Sequence, residues 1–191
     1  MARVTGVLEL VHTPLYDSFF SQAEETFETS MTDPRMLRFF VDVQNKTRLE
    51  TNLQSPGVLP STNSFEARAM RVVISAADED GEEGSGIAFV NELIFSTVTS
   101  LIVGEKVMLE VPTFYLPSGT GVQGAEGIIG SHGIADPLAT FRFAEPVGIE
   151  PQQNFRVEML FPLGVPETVA QAEAEIKIWV VLDGLQKRAV Q

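Results

Sequence analysis

Apolar and polar residues alternate with a period of two from Phe155 to Phe161 and again from Ala174 to Leu182. In the first run Phe155, Val157, Met159 and Phe161 take one side, and Arg156 and Glu158 the other. In the second, Ala174, Ile176, Ile178, Val180 and Leu182 face in, while Glu173, Glu175, Lys177, Trp179 and Val181 face out. That period belongs to a half-buried strand and not to a helix. The C-terminal part of the chain must therefore lie in a sheet with one covered face. Trp179, on the outward side, needs either a helix above it or an interface.

Further strands follow from the same pattern. They are expected at Val7–Val11, Met36–Val43, Ser64–Ala76, Thr97–Val103, Lys106–Val111 and Leu138–Phe143. Gly104-Glu105 marks a tight turn between Thr97–Val103 and Lys106–Val111, with Val107, Leu109 and Val111 assigned to the core. In Ser64–Ala76 the apolar set begins as Phe65, Ala67, Ala69 and continues as Met70, Val72, Ile74. A two-residue period changes phase only through an extra residue, so a bulge is expected near Ala69–Arg71. Glu145-Pro146 through Glu150-Pro151 reads as a proline-punctuated connection, and Ile87–Phe95 fits helix and strand equally.

One segment has helical spacing. After Thr13-Pro14, a good helix start, Tyr16, Phe19, Phe20, Ala23, Phe27 and Met31 recur at three- and four-residue intervals. An amphipathic helix is expected over Leu15–Ser30, ending at Asp33-Pro34. It either packs on its own domain or serves as an arm that docks onto a neighbouring subunit or a membrane face, its acidic polar side arguing against anionic lipid. The sum is an all-β fold, an eight-stranded jelly-roll β-sandwich with one N-terminal amphipathic helix and long loops. Residues 1–35 form the arm and 36–191 a single domain, as the 191-residue length suggests.

Composition removes several function classes. The net charge of −13 and a basic tail limited to Lys187-Arg188 give no signal for coating nucleic acid. No cysteine is present, which removes thiolate metal sites and cysteine nucleophiles. The start MARVTGVLELV places Glu9 inside its apolar part and does not read as a secretory leader. No apolar run approaches the roughly 20 residues of a membrane-spanning helix. Thirteen Phe against two Tyr and one Trp favour core and protein contacts over sugar stacking.

Catalytic and cofactor patterns are also missing. His12 and His132 are too isolated for a metal-binding jelly roll. Ser131, His132 and Asp136 sit too close together on a glycine-rich loop to aim as a triad. Glu110 and Glu158 are outward acids on strands, not a glycosidase pair. Asp78–Glu83 superficially resembles a calcium loop but lacks the bidentate acid at the required spacing, so a solvated loop is the better reading. The segment Pro112–Pro137 carries six glycines without the Gly-Lys-Ser/Thr of a phosphate loop. A loop of that length is an interaction element or a passive insertion. No enzyme, cofactor or metal is expected.

Three segments resemble the jelly-roll major capsid proteins of small tailless icosahedral bacteriophages, in their single-barrel form. The first is FFVDVQNKTRLETNLQSPGVLPSTNSFEARAMRVVI, with Thr51-Asn52-Leu53 and Gly57-x-Leu59-Pro60. The second is LIVGEKVMLEVPTFYLPSGTGVQG, with Gly104-x-Lys106 and Pro112-x-Phe114-x-x-Pro117. The third is FAEPVGIEPQQNFRVEMLFP, with Pro151-x-x-Asn154-Phe155. The resemblance implies a structural coat protein of the virion, self-assembling into a homo-oligomeric icosahedral shell alongside other virion proteins. It leaves open whether a membrane lies beneath the shell. Candidate subunit-contact residues are Phe19, Phe20 and Phe27 on the helix, Phe114, Tyr115 and Leu116 on the loop, and Trp179. The alternatives are a β-sandwich module that binds carbohydrate or protein, and a minor virion or spike protein.

Overall fold

A computed structural model describes residues 8–21, 25–77, 85–119, 123–125, 129–131, 136–172 and 175–189. Strand accounts for 49% and helix for 15%, which places the chain among all-β sandwiches with curled antiparallel sheets. In chain order the strands are β1 (Leu8–His12), β2 (Leu15–Ser21), β3 (Met36–Phe39), β4 (Asn63–Ala77), β5 (Val98–Val103) and β6 (Lys106–Pro112). They continue with β7 (Gln123–Ala125), β8 (Ile129–Ser131), β9 (Phe141–Ile149), β10 (Phe155–Leu160) and β11 (Glu175–Ala189). Three helices interrupt them: α1 (Phe27–Ser30), α2 (Ser85–Ser96) and α3 (Glu167–Ala170).

The larger sheet is built on β4 and β11, which pair antiparallel from Glu175↔Ala77 to Arg188↔Asn63. β1 and β2 lie end to end along the far side of β11, and β9 and β8 along the far side of β4, with β7 beyond β8. The smaller sheet has the order β3-β10-β5-β6. The inward sets close one core. Phe65, Met70, Val72, Ile74, Ile176, Ile178 and Val180 come from the larger sheet, and Leu101, Phe155, Val157 and Met159 from the smaller. The alternation expected for β10 and β11 is observed over the described residues, with Ile176, Ile178, Val180 and Leu182 fully buried; Glu173 and Ala174 lie outside them.

The expected helix over Leu15–Ser30 is corrected. Its first half is β2, and among its described residues only Phe27–Ser30 is helical, capped by Thr26; Gln22, Ala23 and Glu24 lie outside the described residues. In register with β11, Tyr16, Ser18 and Phe20 share the outer face with Trp179, and Leu15, Asp17, Phe19 and Ser21 lie opposite. Asp17 and Ser21 are buried. Polar residues on the inward side hide the period of two and leave the aromatic spacing to suggest a helix. Pairing with β11 overrides that local preference. The segment before residue 36 thus supplies two strands of the larger sheet and a fully buried phenylalanine, Phe27.

Asp17 explains a second difference. Its fully buried carboxylate accepts the Phe40 N–H at 2.6 Å and the Lys46 ammonium at 2.8 Å. Phe40 adopts a φ of 68°, so β3 stops at Phe39 instead of running on to Val43. The chain then turns back, and residues 46–52 bond to the carbonyls of Pro14, Tyr16 and Ser18 along the free edge of β2. Asn52 Nδ2 donates to Pro14 at 2.7 Å, Thr51 Oγ1 to Tyr16 at 3.1 Å and Lys46 Nζ to Ser18 at 2.5 Å.

Other boundaries moved for identifiable reasons. Ile87–Phe95 lies within α2, which buries Phe89, Val90, Leu93 and Ile94 at one end of the sandwich. The Gly104 turn is present, with φ 60°. Its register slips between Leu101↔Leu109 and Ile102↔Val107, and Val107 is left 56% exposed. Val107 is thus not core, while Leu109 and Val111 pack against the core half-buried. Leu138 belongs to a 3₁₀ turn, Pro137–Ala139, and β9 runs from Phe141 through Pro146 to Ile149. Pro146 is tolerated there because β9 is bulged: Arg142 pairs with Ala69 and Val147 with Ala67. In the pairing with β11, Asp183 faces Ala69 and Gly184 faces Ala67, so the bulge in β4 centres on Arg68, slightly before the expected Ala69–Arg71. The glycine-rich segment contributes β7 and β8. Strands among the described residues number eleven, where about eight are expected from the pattern. Asp78–Glu83 lies outside the described residues.

The three segments that carry the capsid resemblance converge on one junction. Phe155 N–H donates to the Gly57 carbonyl at 2.8 Å, Gly104 N–H to the Asn154 carbonyl at 2.6 Å, and Gly57 N–H to the Phe40 carbonyl at 2.6 Å. Gly57 has φ 62°, and a Cβ there would stand 2.7 Å from Asn154 Oδ1.

Two outcomes test this architecture. Removing residues 1–31 deletes β1, β2 and Phe27, and is expected to abolish the cooperative thermal transition, seen by calorimetry. In Gly184→Ala the new Cβ lands on the Glu66 carbonyl and 2.7 Å from Phe65 Cζ. The expected loss is about 1–3 kcal/mol, read as a lower urea midpoint at unchanged slope.

Candidate subunit-contact surface

The seven candidate contact residues divide sharply. Phe27 is fully buried and forms edge-to-face contacts with Phe19 (5.6 Å between ring centroids), Phe89 (5.6 Å) and Phe161 (6.4 Å). It joins α1, α2 and the end of β10, and Phe19 packs beside it half-buried. Leu116 is also fully buried, and its carbonyl accepts the Val72 N–H at 3.1 Å. Phe27 and Leu116 are thus core, not contact residues: Phe27 opens α1 inside an aromatic cluster, and Leu116 lies beside the middle of β4, between the stretches that pair with β9 and β8.

Phe20 and Trp179 do face outward, and they meet edge to face at 5.0 Å. The Trp179 Nε1–H donates to the Leu49 carbonyl at 3.1 Å, so the loop that seals β2 also covers the tryptophan. A loop takes the place of the expected covering helix. Both side chains are half-buried within the subunit.

Phe114 and Tyr115 remain. They are 42% and 58% exposed, sit in the 3₁₀ turn Thr113–Tyr115 after β6, and lie 5.6 Å apart. Phe95, which sequence reasoning missed, stacks on Phe114 at 5.3 Å and is 69% exposed. The missed signal was helical. Once Phe89, Val90, Leu93 and Ile94 are taken as the buried stripe of α2, Phe95 falls on the opposite side.

The aromatic trio stands on a rigid base. The buried Thr97 hydroxyl lies 2.7 Å from the Leu93 carbonyl and 2.7 Å from the Thr113 hydroxyl, which lies 2.7 Å from the Thr99 hydroxyl. The Thr113 N–H donates to the Thr97 carbonyl at 3.0 Å. These bonds lock the end of α2, the start of β5 and the turn after β6 together. The three rings are therefore held in place before any partner arrives, which limits the ordering cost of docking.

Little chemistry surrounds this surface. Glu158 is paired with Arg156 at 2.7 Å, and Glu110 faces Ser100 across β5 and β6. Asp136 caps the 3₁₀ turn through the Leu138 N–H, and His132 lies outside the described residues. Among the described residues no three His, Asp or Glu side chains are grouped so as to hold a metal ion, and no helix is long and apolar enough to cross a membrane. No protein-family model matches the chain, and no curated protein matches it.

Core and surface aromatics should separate on substitution. Phe27→Ala is expected to cost about 3–5 kcal/mol. Joint replacement of Phe95 and Phe114 by Ser should cost no more than about 1.5 kcal/mol, the scale of one aromatic pair. Denaturant unfolding followed by Trp179 fluorescence reads both.

Proposed function

We propose that this chain is a structural coat subunit with jelly-roll wiring, which self-associates into a closed icosahedral shell in a virion. Supporting the wiring is the nesting of its strand pairs. With β1 and β2 taken as one interrupted strand, the first pairs with the last (β2·β11) and the next with the penultimate (β3·β10). β4·β9 and the β5·β6 hairpin follow inside them. A long antiparallel ribbon rolled up on itself yields that nesting, and shell-forming domains are a frequent use of it. The short β7 and β8 are additions to this scheme.

Supporting the coat role is a rigid sandwich that ends in an exposed, pre-ordered aromatic trio, Phe95, Phe114 and Tyr115, with no catalytic grouping beside it. Anchors of this kind dominate protein interfaces. The resemblance on three segments points the same way, since those segments build the junction at Gly57, Gly104 and Asn154. Copies carrying −13 each repel one another, so association should strengthen as salt screens that repulsion.

The test is light scattering and negative-stain microscopy of the purified full chain across ionic strength. Shells or symmetric capsomers are expected, more abundant at high salt. The joint Phe95→Ser and Phe114→Ser variant should remain folded and shift assembly to at least tenfold higher protein concentration. A protein that stays monomeric at every salt concentration, or that instead binds glycans saturably, overturns the coat reading.

A further inference from the structure

A fault line crosses the larger sheet. The break at Thr13-Pro14 between β1 and β2 lies opposite the register slip at Asp183/Gly184 in β11. Next to that slip is the bulge at Arg68 in β4, and beyond it the stretch 143–146 of β9 that has no paired residue in β4. On the outer side a cavity of about 520 Å³ opens along this line, lined in part by His12, Arg68, Arg71, Arg142, Asp183 and Leu185.

The bulge determines which side chains gather there. Residues three apart in a regular strand point to opposite faces. Arg68 and Arg71 share the outer face because the extra residue restores the phase: Ala67, Met70 and Val72 are fully buried on the inner one. Arg142 joins them from β9, where it pairs with Ala69. Three of the chain's thirteen Lys and Arg residues thus line one cavity, where Asp183 is the one acid among the described residues, on a protein of net charge −13.

Carboxylates orient two of these guanidinium groups, those of Arg68 and Arg71. Glu66 accepts from Arg68 Nε at 2.9 Å and Nη2 at 2.8 Å, which is one edge of a five-donor fork. The Arg68 hydrogen bond, with the positive charges of Arg68 and Lys187, holds the Glu66 carboxyl below its ordinary pKa. Asp183 sits 3.0 Å from Arg71 Nε and 3.3 Å from its Nη2. Ala69, Thr140 and Leu185 supply a mostly apolar floor.

We propose that this cavity binds a phosphate monoester, its phosphoryl group between Arg68, Arg71 and Arg142 and its organic part over Leu185. Guanidinium forks match phosphate oxygens in pairs. The volume falls in the range of small-molecule sites and exceeds what bare phosphate fills. The site is separate from the aromatic trio and independent of the coat reading.

Calorimetric titration of the full chain with phenyl phosphate at low ionic strength should give saturable one-to-one binding, tighter than inorganic phosphate. The Arg68→Gln/Arg142→Gln double variant should weaken it at least tenfold. Arg156→Gln, on the other sheet, should leave it unchanged. Arginine Nε–H resonances of the unsubstituted protein provide a readout independent of folding, and those of Arg68, Arg71 and Arg142 should shift on titration. Co-sedimentation with phosphatidic-acid vesicles would assign the ester to a lipid headgroup, and binding of soluble esters alone would assign it to a free metabolite. Absent saturation, equal weakening by Arg156→Gln, or shifts confined to other arginines overturns the site.

Discussion

The pairing of β4 with β11 is the constraint on which the rest of the molecule hangs. Each strand has fifteen residues, and together they form the spine of the larger sheet. Every other strand of that sheet attaches to one of them directly, apart from β7, which attaches through β8. The partners are far apart in sequence: Arg71 and Asp183 are separated by 112 positions. Contacts that distant carry a loop-closure penalty before they stabilise anything, and are characteristic of slow-folding all-β domains. The β5–β6 hairpin at the centre of the nested order closes a short loop, and each outer pair spans a longer one. Asp17 ties β2 to the Phe40 turn and to Lys46 across 23 and 29 positions.

Where inside and outside coincided with apolar and polar, the fold could be read directly. β10, and β11 from Ile176 to Leu182, alternate without exception on their buried faces, and Gly104 turns the chain where a left-handed residue is needed. The phase change in Ser64–Ala76 located the β4 bulge to within about a residue. β2 was lost because Asp17 and Ser21 face inward. Those burials make sense only with Phe40, Lys46 and Ser30 present, and all three belong to other segments. Pro146 hides β9 because a proline in a strand is acceptable only in an unpaired stretch, and 143–146 is seen to be unpaired only against β4. Long-range partners, not local propensity, decided both cases.

The exposed aromatic residues were legible to the same extent. Phe114 and Tyr115 follow a strand that ends at a proline, and their exposure matches a loop position. Phe27 and Leu116 look the same in the sequence, but Phe27 closes on Phe19, Phe89 and Phe161, and Leu116 bonds to the middle of β4 at Val72. Exposure there is a property of the closed fold and has no local signature. Phe95 needed the helix assignment first.

The sheet edges bear on how copies of such a subunit can meet. An open edge strand invites β-addition by another chain. Here the free edge of β2 is occupied by Asn52, Thr51 and Lys46, which bond to its carbonyls. β6, an edge of the smaller sheet, begins at Lys106, carries Glu110, ends at Pro112 and is bulged where Val107 turns outward. Charge, proline and bulge all discourage strand pairing. Main-chain association is thus blocked or disfavoured on these two edges. Side-chain contact at Phe95, Phe114 and Tyr115, a few residues beyond the end of β6, is left open. A subunit built this way can associate through a fixed geometry without recruiting its own strands into an open-ended sheet, which is what a closed assembly requires and an aggregate does not.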